Sequence, residues 1–130
     1  MISKLIEEAT KVSGVYKFNT YYRNYAGRVG CALLTRSGNI YTGVSVDLVC
    51  GLGNCAEYSA ICEMVKNHES EIEMIVSVYE GNKIIPPCGR CRELISQLDL
   101  DNENTVVAIN NDQKVTLKEL LPERWDKKWD

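Results

Sequence analysis

Hydrophobic and polar positions along this chain repeat with the period of a helix in some segments and of a strand in others. Apolar spacing and capping residues predict helices over residues 2–13, from Cys55 to about residue 66, from Cys88 onward, and over 117–121. Short apolar runs bounded by turn residues predict strands at 29–36, 40–46, 73–79 and 105–110, and a brief one at 114–116.

The order of these elements predicts the fold class. A short turn at residues 37–39 joins the first two strands, so they form an antiparallel hairpin. The alternating helices and strands that follow indicate an α/β fold, in which a mixed β-sheet is sandwiched between α-helices. The sequence has no linker or repeat, and we expect a single domain over residues 1–130. Residues 15–28 are rich in tyrosine and predict either a packed surface loop or a loop that covers a substrate.

Composition and charge narrow the functional classes. Hydrophobic residues make up 45% and charged residues 25% of the chain, which is usual for a globular protein. The net charge of −3 gives no support for a nucleic-acid partner, since such proteins usually carry a basic face. No apolar run approaches the roughly 20 residues of a membrane helix. Acidic residues follow the N-terminus at once, so we expect no signal peptide and a cytoplasmic location.

Two cysteine clusters predict a zinc site. The first is C-A-E at residues 55–57, and the second is P-C-G-R-C-R at residues 87–92. Thiolates are soft ligands that suit Zn²⁺, and a catalytic zinc site has three protein ligands and an open position. Cys55, Cys88 and Cys91 are the predicted ligands, with Glu57 beside them as an acid and base. In an intracellular chain, clustered cysteines favour a metal site over disulfides.

Both clusters are predicted at the N-termini of helices. Asn54 is a good N-cap for the first helix, and C-x-x-C at the start of the second places two sulfurs one turn apart on one face. The free N–H groups and positive dipole of a helix N-terminus favour thiolate over thiol. Two such termini can therefore offset the negative charge of three thiolates.

The remaining cysteines leave one alternative open. Cys50 is tied to Cys55 by a short loop and could supply a fourth ligand, which would make the zinc purely structural. Cys62 lies two helical turns beyond Cys55, about 10 Å along the axis, too far to share one ion. Cys31 falls in a buried strand and is predicted to be part of the core.

The motifs resemble the cytidine deaminase superfamily, in particular its small enzymes for free nucleosides. The C-A-E and P-C-G-R-C-R clusters carry the resemblance, supported by V-G-C-A-L-L-T at residues 29–35 and E-L-L-P at 119–122. The P-C-G-R-C-R form and a tryptophan after L-L-P are most similar to the blasticidin S deaminases.

The resemblance implies a three-layer fold, a homotetramer and zinc-dependent removal of the 4-amino group of cytidine, deoxycytidine, blasticidin S or a related aminopyrimidine. It implies that Glu57 takes a proton from a water activated by zinc and passes protons to the ring and to the leaving ammonia. Two other interpretations are an enzyme that edits bases in RNA or DNA and a homologue that binds nucleosides without turning them over.

The resemblance also suggests substrate-binding residues. Cytidine deaminases carry G-x-N-x-E on the second strand, where Asn and Glu hold the ribose, and this chain has G-V-S-V-D at residues 43–47. Ser45 and Asp47 are therefore expected at the sugar, and Tyr25 is expected near the base because aromatic rings stack on bases.

Two arginines and the tail complete the predicted site. Arg90 or Arg92 is expected to help neutralise the thiolates, in place of the arginine that often follows C-A-E. Trp125 and Trp129 stand in a polar tail, and they are expected to dock on the body, on a neighbouring subunit or over the substrate.

Overall fold

The computed structural model describes residues 1–128. Its helices are α1 (Ile2–Val12), α2 (Ala56–Lys66), α3 (Gly89–Ser96) and α4 (Leu117–Leu120). Its strands are β1 (Tyr16–Lys17), β2 (Tyr25–Thr35), β3 (Ile40–Asp47), β4 (Ile72–Tyr79), β5 (Lys83–Ile85), β6 (Val106–Ala108) and β7 (Lys114–Thr116). The long helices α1 and α2 have 11 residues each. Within the described part of the chain, no helix has the length and apolar character needed to cross a membrane.

The strands form one mixed sheet of seven members within the described residues. β2 pairs antiparallel with β3 on one side and with β4 on the other. β4 runs parallel to β6, because α3 carries the chain across one face of the sheet between them, and β6 pairs antiparallel with β7. The short strands β1 and β5 add to β2 and β4. The predicted mixed sheet is confirmed.

Side chains that alternate along β2 build a hydrophobic core on each face of the sheet. Cys31 and Leu33 face α2, whereas Ala32 between them faces α1, as the two-residue period of a strand requires. The core under α2 continues through residues of α3 and α4, and it includes Ala60, Ile61, Met64, Ile75, Ile95 and Leu117. The core under α1 includes Leu5, Ala9, Val76 and Val78. Helices therefore cover both faces, as predicted, and Cys31 is a core residue.

The prediction of a loop over residues 15–28 is partly wrong. β1 pairs with the start of β2, which begins at Tyr25, four residues before the predicted strand. The register between β2 and β3 shifts between Ala26 and Gly30. This irregularity breaks the alternation of polar and apolar residues, and the sequence pattern therefore hides the first part of the strand.

Asn102 locks the end of α3 to the start of β4. It is fully buried, donates through Nδ2 to the carbonyl oxygens of Ser70 (2.9 Å) and Ile95 (3.0 Å), and accepts from the backbone N–H of Ile72 (2.9 Å). Asn102→Ala would remove all three hydrogen bonds and leave the buried N–H of Ile72 without this acceptor. We expect the free energy of unfolding, measured by urea titration, to fall by about 3–5 kcal/mol.

The exposed Asn67 is the matched control for this change. Its amide donates to the carbonyl of Glu63 at the solvent-facing end of α2. Asn67→Ala should change the free energy of unfolding by less than about 1 kcal/mol. Equal losses in the two variants would contradict the locking role of Asn102.

Candidate active site

A cleft of about 590 Å³ opens where the N-termini of α2 and α3 meet the ends of β2 and β3. Among the residues that line it are most of those predicted from the sequence, namely Tyr25, Ser45, Asp47, Cys55, Glu57, Cys88 and Arg90. These residues come from separate parts of the chain. The fold therefore gathers the predicted chemistry in one place.

Close packing of α2 against β3 sets the position of the first cluster. A Cβ atom at Gly43 would lie 2.3 Å from the backbone nitrogen of Ala60, so that only glycine allows this approach. Paired hydrogen bonds of 2.9 Å between the backbones of Val46 and Asn54 then fix the start of the helix. Cys55 itself is the N-cap, and the prediction of Asn54 as the cap is wrong because its backbone is engaged in this bridge.

The three predicted ligands have their sulfur atoms within 4.8 Å of one another. The Sγ atoms of Cys55 and Cys88 are 3.4 Å apart, and all three cysteines are free thiols. A tetrahedral zinc ion with Zn–S bonds of about 2.3 Å requires sulfurs about 3.8 Å apart. The spacing and the soft donor set therefore fit zinc with one position left for another ligand.

The helix N-termini supply the electrostatics of this cluster. Cys88 is the N-cap of α3, and Cys91 lies in its first turn. Burial opposes ionisation of Cys88, but hydrogen bonds from the backbone N–H of Cys91 and from the thiols of Cys55 and Cys91 outweigh it and lower the pKa of Cys88. Burial raises the pKa of Cys91, and a bound cation would have to offset that cost.

Cys50 does not join the cluster. It sits in a 3₁₀ turn at Val49–Gly51, has φ +61°, and exposes its side chain at the tip of the loop that the Val46–Asn54 bridge closes. Among the residues that the structure describes, the sulfurs close enough to share one ion are those of Cys55, Cys88 and Cys91. This geometry disfavours a closed site of four cysteines.

Glu57 is the buried acid of the cleft. It is the second residue of α2, and only 4% of it is exposed. Burial raises the pKa of its carboxyl group, while hydrogen bonds from its own backbone N–H and from Ser77 act in the opposite direction. Ser77 is itself buried, opposite Cys31 in the pairing of β2 with β4. A carboxyl group with a raised pKa is suited to both accept and release a proton near neutral pH.

The predicted sugar-binding residues line the cleft but differ in what they already contact. Ser45 is 7% exposed, and its Oγ accepts a hydrogen bond of 3.0 Å from the backbone N–H of Val29. Its hydroxyl hydrogen remains able to donate to a ligand. Asp47 lies opposite Tyr25 in the pairing of β3 with β2, and both are partly exposed to the cleft.

Arg90 and Arg92 occupy different positions. The guanidinium carbon of Arg90 lies 5.0 Å from the centre of the Tyr58 ring and links the starts of α3 and α2 at the rim of the cleft. Arg92 instead donates through Nε to the carbonyl of Pro87 (2.9 Å) and through Nη1 to that of Leu120 (3.3 Å). It therefore holds the turn before Cys88 in place from behind.

Trp125 does not line the cleft of its own chain, and its contact with a substrate stays a prediction. Its indole is 60% exposed, and Nε1 donates to Glu93 on α3 at 3.3 Å. Arg124 ties the same segment to the carbonyl of Ser96, so that the chain after Leu121 runs along α3 and away from the cleft. Trp129 lies outside the described residues.

Arg28 and Tyr79 line the cleft, but sequence reasoning did not place them there. Arg28 lies just before the apolar run of β2, and Tyr79 lies at the end of the apolar run of β4. The strand pattern does not indicate that these two positions share a cleft. A positive charge directly beside a buried strand was the available signal for Arg28.

Comparison with known proteins agrees with this geometry. A family model for the cytidine and deoxycytidylate deaminase zinc-binding region matches residues 4–109. The blasticidin-S deaminase of Bacillus cereus is 32% identical over 129 residues, which cover 92% of this chain and 88% of that protein. The cytidine deaminase of Halalkalibacterium halodurans is 32% identical over 98 residues, or 73% and 74% of the two chains. The crystal structure of cytidine deaminase from Mycobacterium tuberculosis superposes with a TM-score of 0.78 at 28% identity, covering 95% and 96% of the chains.

Proposed function

The chain belongs to the cytidine and deoxycytidylate deaminase family of zinc-dependent hydrolytic enzymes, and we propose that it deaminates a cytosine nucleoside or a close analogue. Water replaces the 4-amino group, so that a uracil ring and ammonia are the products. The observation that carries the proposal is the meeting of three cysteine sulfurs with the buried Glu57 at a cleft of about 590 Å³. The chain acts in this proposal as a single deaminase domain over residues 1–130.

Cys55, Cys88 and Cys91 are the proposed zinc ligands. When bound, zinc supplies a Lewis acid that makes a water molecule acidic enough to lose a proton near neutral pH. The three thiolates leave the site with one net negative charge. The N-termini of α2 and α3 and the guanidinium of Arg90 at the rim partly offset this charge. Arg92 instead holds the backbone before Cys88 through its hydrogen bond to the carbonyl of Pro87.

Glu57 is the proposed proton shuttle. Its carboxylate takes a proton from the attacking water and delivers protons to ring N3 and to the amino nitrogen, which departs as ammonia. The carboxyl is enclosed, and its pKa is raised by burial, which suits transfer in both directions. Ser77 beneath it limits the orientation of the carboxyl group.

Tyr25, Ser45 and Asp47 are the proposed contacts for the rest of the substrate. Asp47 can accept hydrogen bonds from sugar hydroxyls, and Ser45 can donate its hydroxyl hydrogen to an oxygen of the sugar. Tyr25 presents an aromatic ring at the edge of the cleft. Together they favour a ligand with an aromatic ring and a polar appendage.

The assembly and location of the enzyme are further parts of the proposal. We expect a homotetramer in the cytoplasm that acts on small nucleosides rather than on nucleic acid. Exposed aromatic side chains support the tetramer, since Tyr16, Tyr22 and Trp125 are each at least 60% exposed in the single chain. The net charge of −3 supports a small-molecule substrate. The mass of the protein in solution, measured by light scattering, tests the assembly.

Ammonia release by the zinc-loaded protein tests the function. We expect turnover of at least one of cytidine, deoxycytidine and blasticidin S, and a rate lower by about 10³-fold or more in Glu57→Ala. Turnover of the nucleosides would indicate that Ser45 and Asp47 serve a sugar. Turnover of blasticidin S alone would indicate a cleft shaped for that appendage. Failure on all of these and on free cytosine, by protein with one zinc per chain, would contradict the proposed reaction.

A further inference from the structure

A bulge in β2 directs Arg28 into the cleft. Between Ala26 and Gly30, the three residues 27–29 of β2 lie opposite a single residue of β3, Ser45, so that β2 carries two extra residues. Bulges of this kind re-aim side chains beside active sites. Arg28 is at the centre of this segment and lines the cleft.

The bulge is held by specific contacts. Gly27 has φ +89°, and a Cβ atom there would lie 2.0 Å from the carbonyl oxygen of Gly14, so the conformation requires glycine. The backbone N–H of Val29 donates to Ser45, and the carbonyl of Arg28 accepts from the N–H of Glu80 at 2.9 Å. The position of Arg28 is therefore fixed by the backbone and does not depend on its own side chain.

The guanidinium of Arg28 is oriented but incompletely satisfied. Its central carbon lies 4.8 Å from the centre of the Tyr25 ring, and its Nε lies 3.7 Å from Oε1 of Glu80. Nε is buried and has no hydrogen-bond partner among residues 1–128. A buried charged donor without an acceptor is unfavourable and requires an explanation. The side chain as a whole is 41% exposed, so its outer nitrogens can reach a ligand in the cleft.

The neighbours of Arg28 indicate which part of a substrate would meet it. Its guanidinium packs on the ring of Tyr25, and Tyr25 lies opposite Asp47, which the proposed function assigns to the sugar. In a cytosine nucleoside the 4-amino group and the sugar lie at opposite ends of the base. With the amino group at Glu57, Arg28 faces the sugar end.

We propose that Arg28 sets substrate specificity by binding an anionic group, a carboxylate or a phosphate, on the exocyclic 5′ carbon of the sugar. This inference rests on the proposed function of the cleft. A guanidinium offers a planar fork of donors that matches either anion, and such charge-assisted hydrogen bonds are strong. A bound anion would accept hydrogen bonds from the outer nitrogens of the guanidinium, while Nε keeps its long contact of 3.7 Å to Glu80.

The test compares cytidine, cytidine 5′-carboxylate and cytidine 5′-monophosphate. In the wild type we expect kcat/KM for one anionic compound to exceed that for cytidine by about tenfold or more. Arg28→Gln should lower that value about 10- to 100-fold, mainly through KM, and should lower the value for cytidine, which has no anionic group, by a clearly smaller factor. Arg28→Lys keeps the positive charge but lacks the planar fork of donors. Its kcat/KM for the preferred anionic compound should lie between those of the wild type and Arg28→Gln. The preferred anion distinguishes carboxylate from phosphate.

Arg36 provides the matched control, since it pairs with Glu73 at 3.4 Å on an exposed surface away from the cleft. Arg36→Gln should leave all three substrates unchanged. No preference for either anion in the wild type, or equal losses for cytidine and the anions in Arg28→Gln, would overturn the role of Arg28. Calorimetric binding of the same compounds separates the two proposals. Preferential binding of an anion that depends on Arg28, without ammonia release, would overturn the deaminase function and retain the anion site.

Discussion

Glu57→Ala is expected to lower kcat for deamination by about 10³-fold or more, while the protein keeps one zinc per chain. General acid–base groups contribute about 10²- to 10⁴-fold to a rate, and here a single carboxyl group serves several proton transfers. Glu57 is 4% exposed, and burial raises the pKa of its carboxyl group, so that no bulk water replaces it easily as a proton carrier. Ammonia release and zinc content, measured on the same preparation, provide the two readouts.

Glu63 is the control for this experiment because it is an exposed glutamate on the same helix, paired with Lys66 at 3.3 Å. Glu63→Ala should retain wild-type turnover. Glu57→Gln, which keeps the shape of the side chain but cannot carry the proton, should be as slow as Glu57→Ala within about tenfold. Full activity in Glu57→Ala would contradict the mechanism. Loss of zinc in both Glu57 variants would instead assign the residue to metal binding.

Local spacing made the core of the site predictable. The C-x-x-C spacing at the start of a helix places Cys88 and Cys91 on one face, and this holds for any fold. Glu57 follows Cys55 by two residues at the start of another helix, so the two residues lie close together for the same local reason. The turn at residues 37–39 likewise determines the β2–β3 hairpin, because a short connection permits only antiparallel pairing. These features depend on neighbours in the sequence, and the pattern of residues records them.

The features that sequence reasoning missed depend on contacts between distant segments. The bulge at Gly27 arises from its approach to Gly14 and from the hydrogen bond of Val29 to Ser45, and neither leaves a periodic signal. The path of Trp125 along α3 is set by the contacts of Arg124 and Glu93. Arg28 therefore entered the site only through the three-dimensional structure.

Cys88→Ala is expected to reduce the zinc content from one per chain to less than about 0.1, with loss of activity and a lower melting temperature. With two thiolates left, the site no longer has the three protein ligands of a catalytic zinc centre. Metal binding also contributes to folding free energy, because the unfolded chain has no preformed site. Cys88 supplies the sulfur 3.4 Å from that of Cys55, so that its replacement by alanine leaves Cys55 without this neighbouring ligand atom. Elemental analysis of the purified protein measures the zinc content directly.

Cys62 and Cys50 make the test specific to the ligand set. Both are exposed free thiols outside the cluster, one on α2 and one at the tip of the loop before Cys55. Cys62→Ala and Cys50→Ala should each keep one zinc per chain, and Cys88→Ala should keep the far-ultraviolet circular dichroism of a folded α/β protein. Retention of one zinc in Cys88→Ala would refute the ligand set. Loss of zinc in Cys50→Ala would instead support the alternative of a structural zinc bound by four cysteines. Such a site has no position at which a water molecule can be activated.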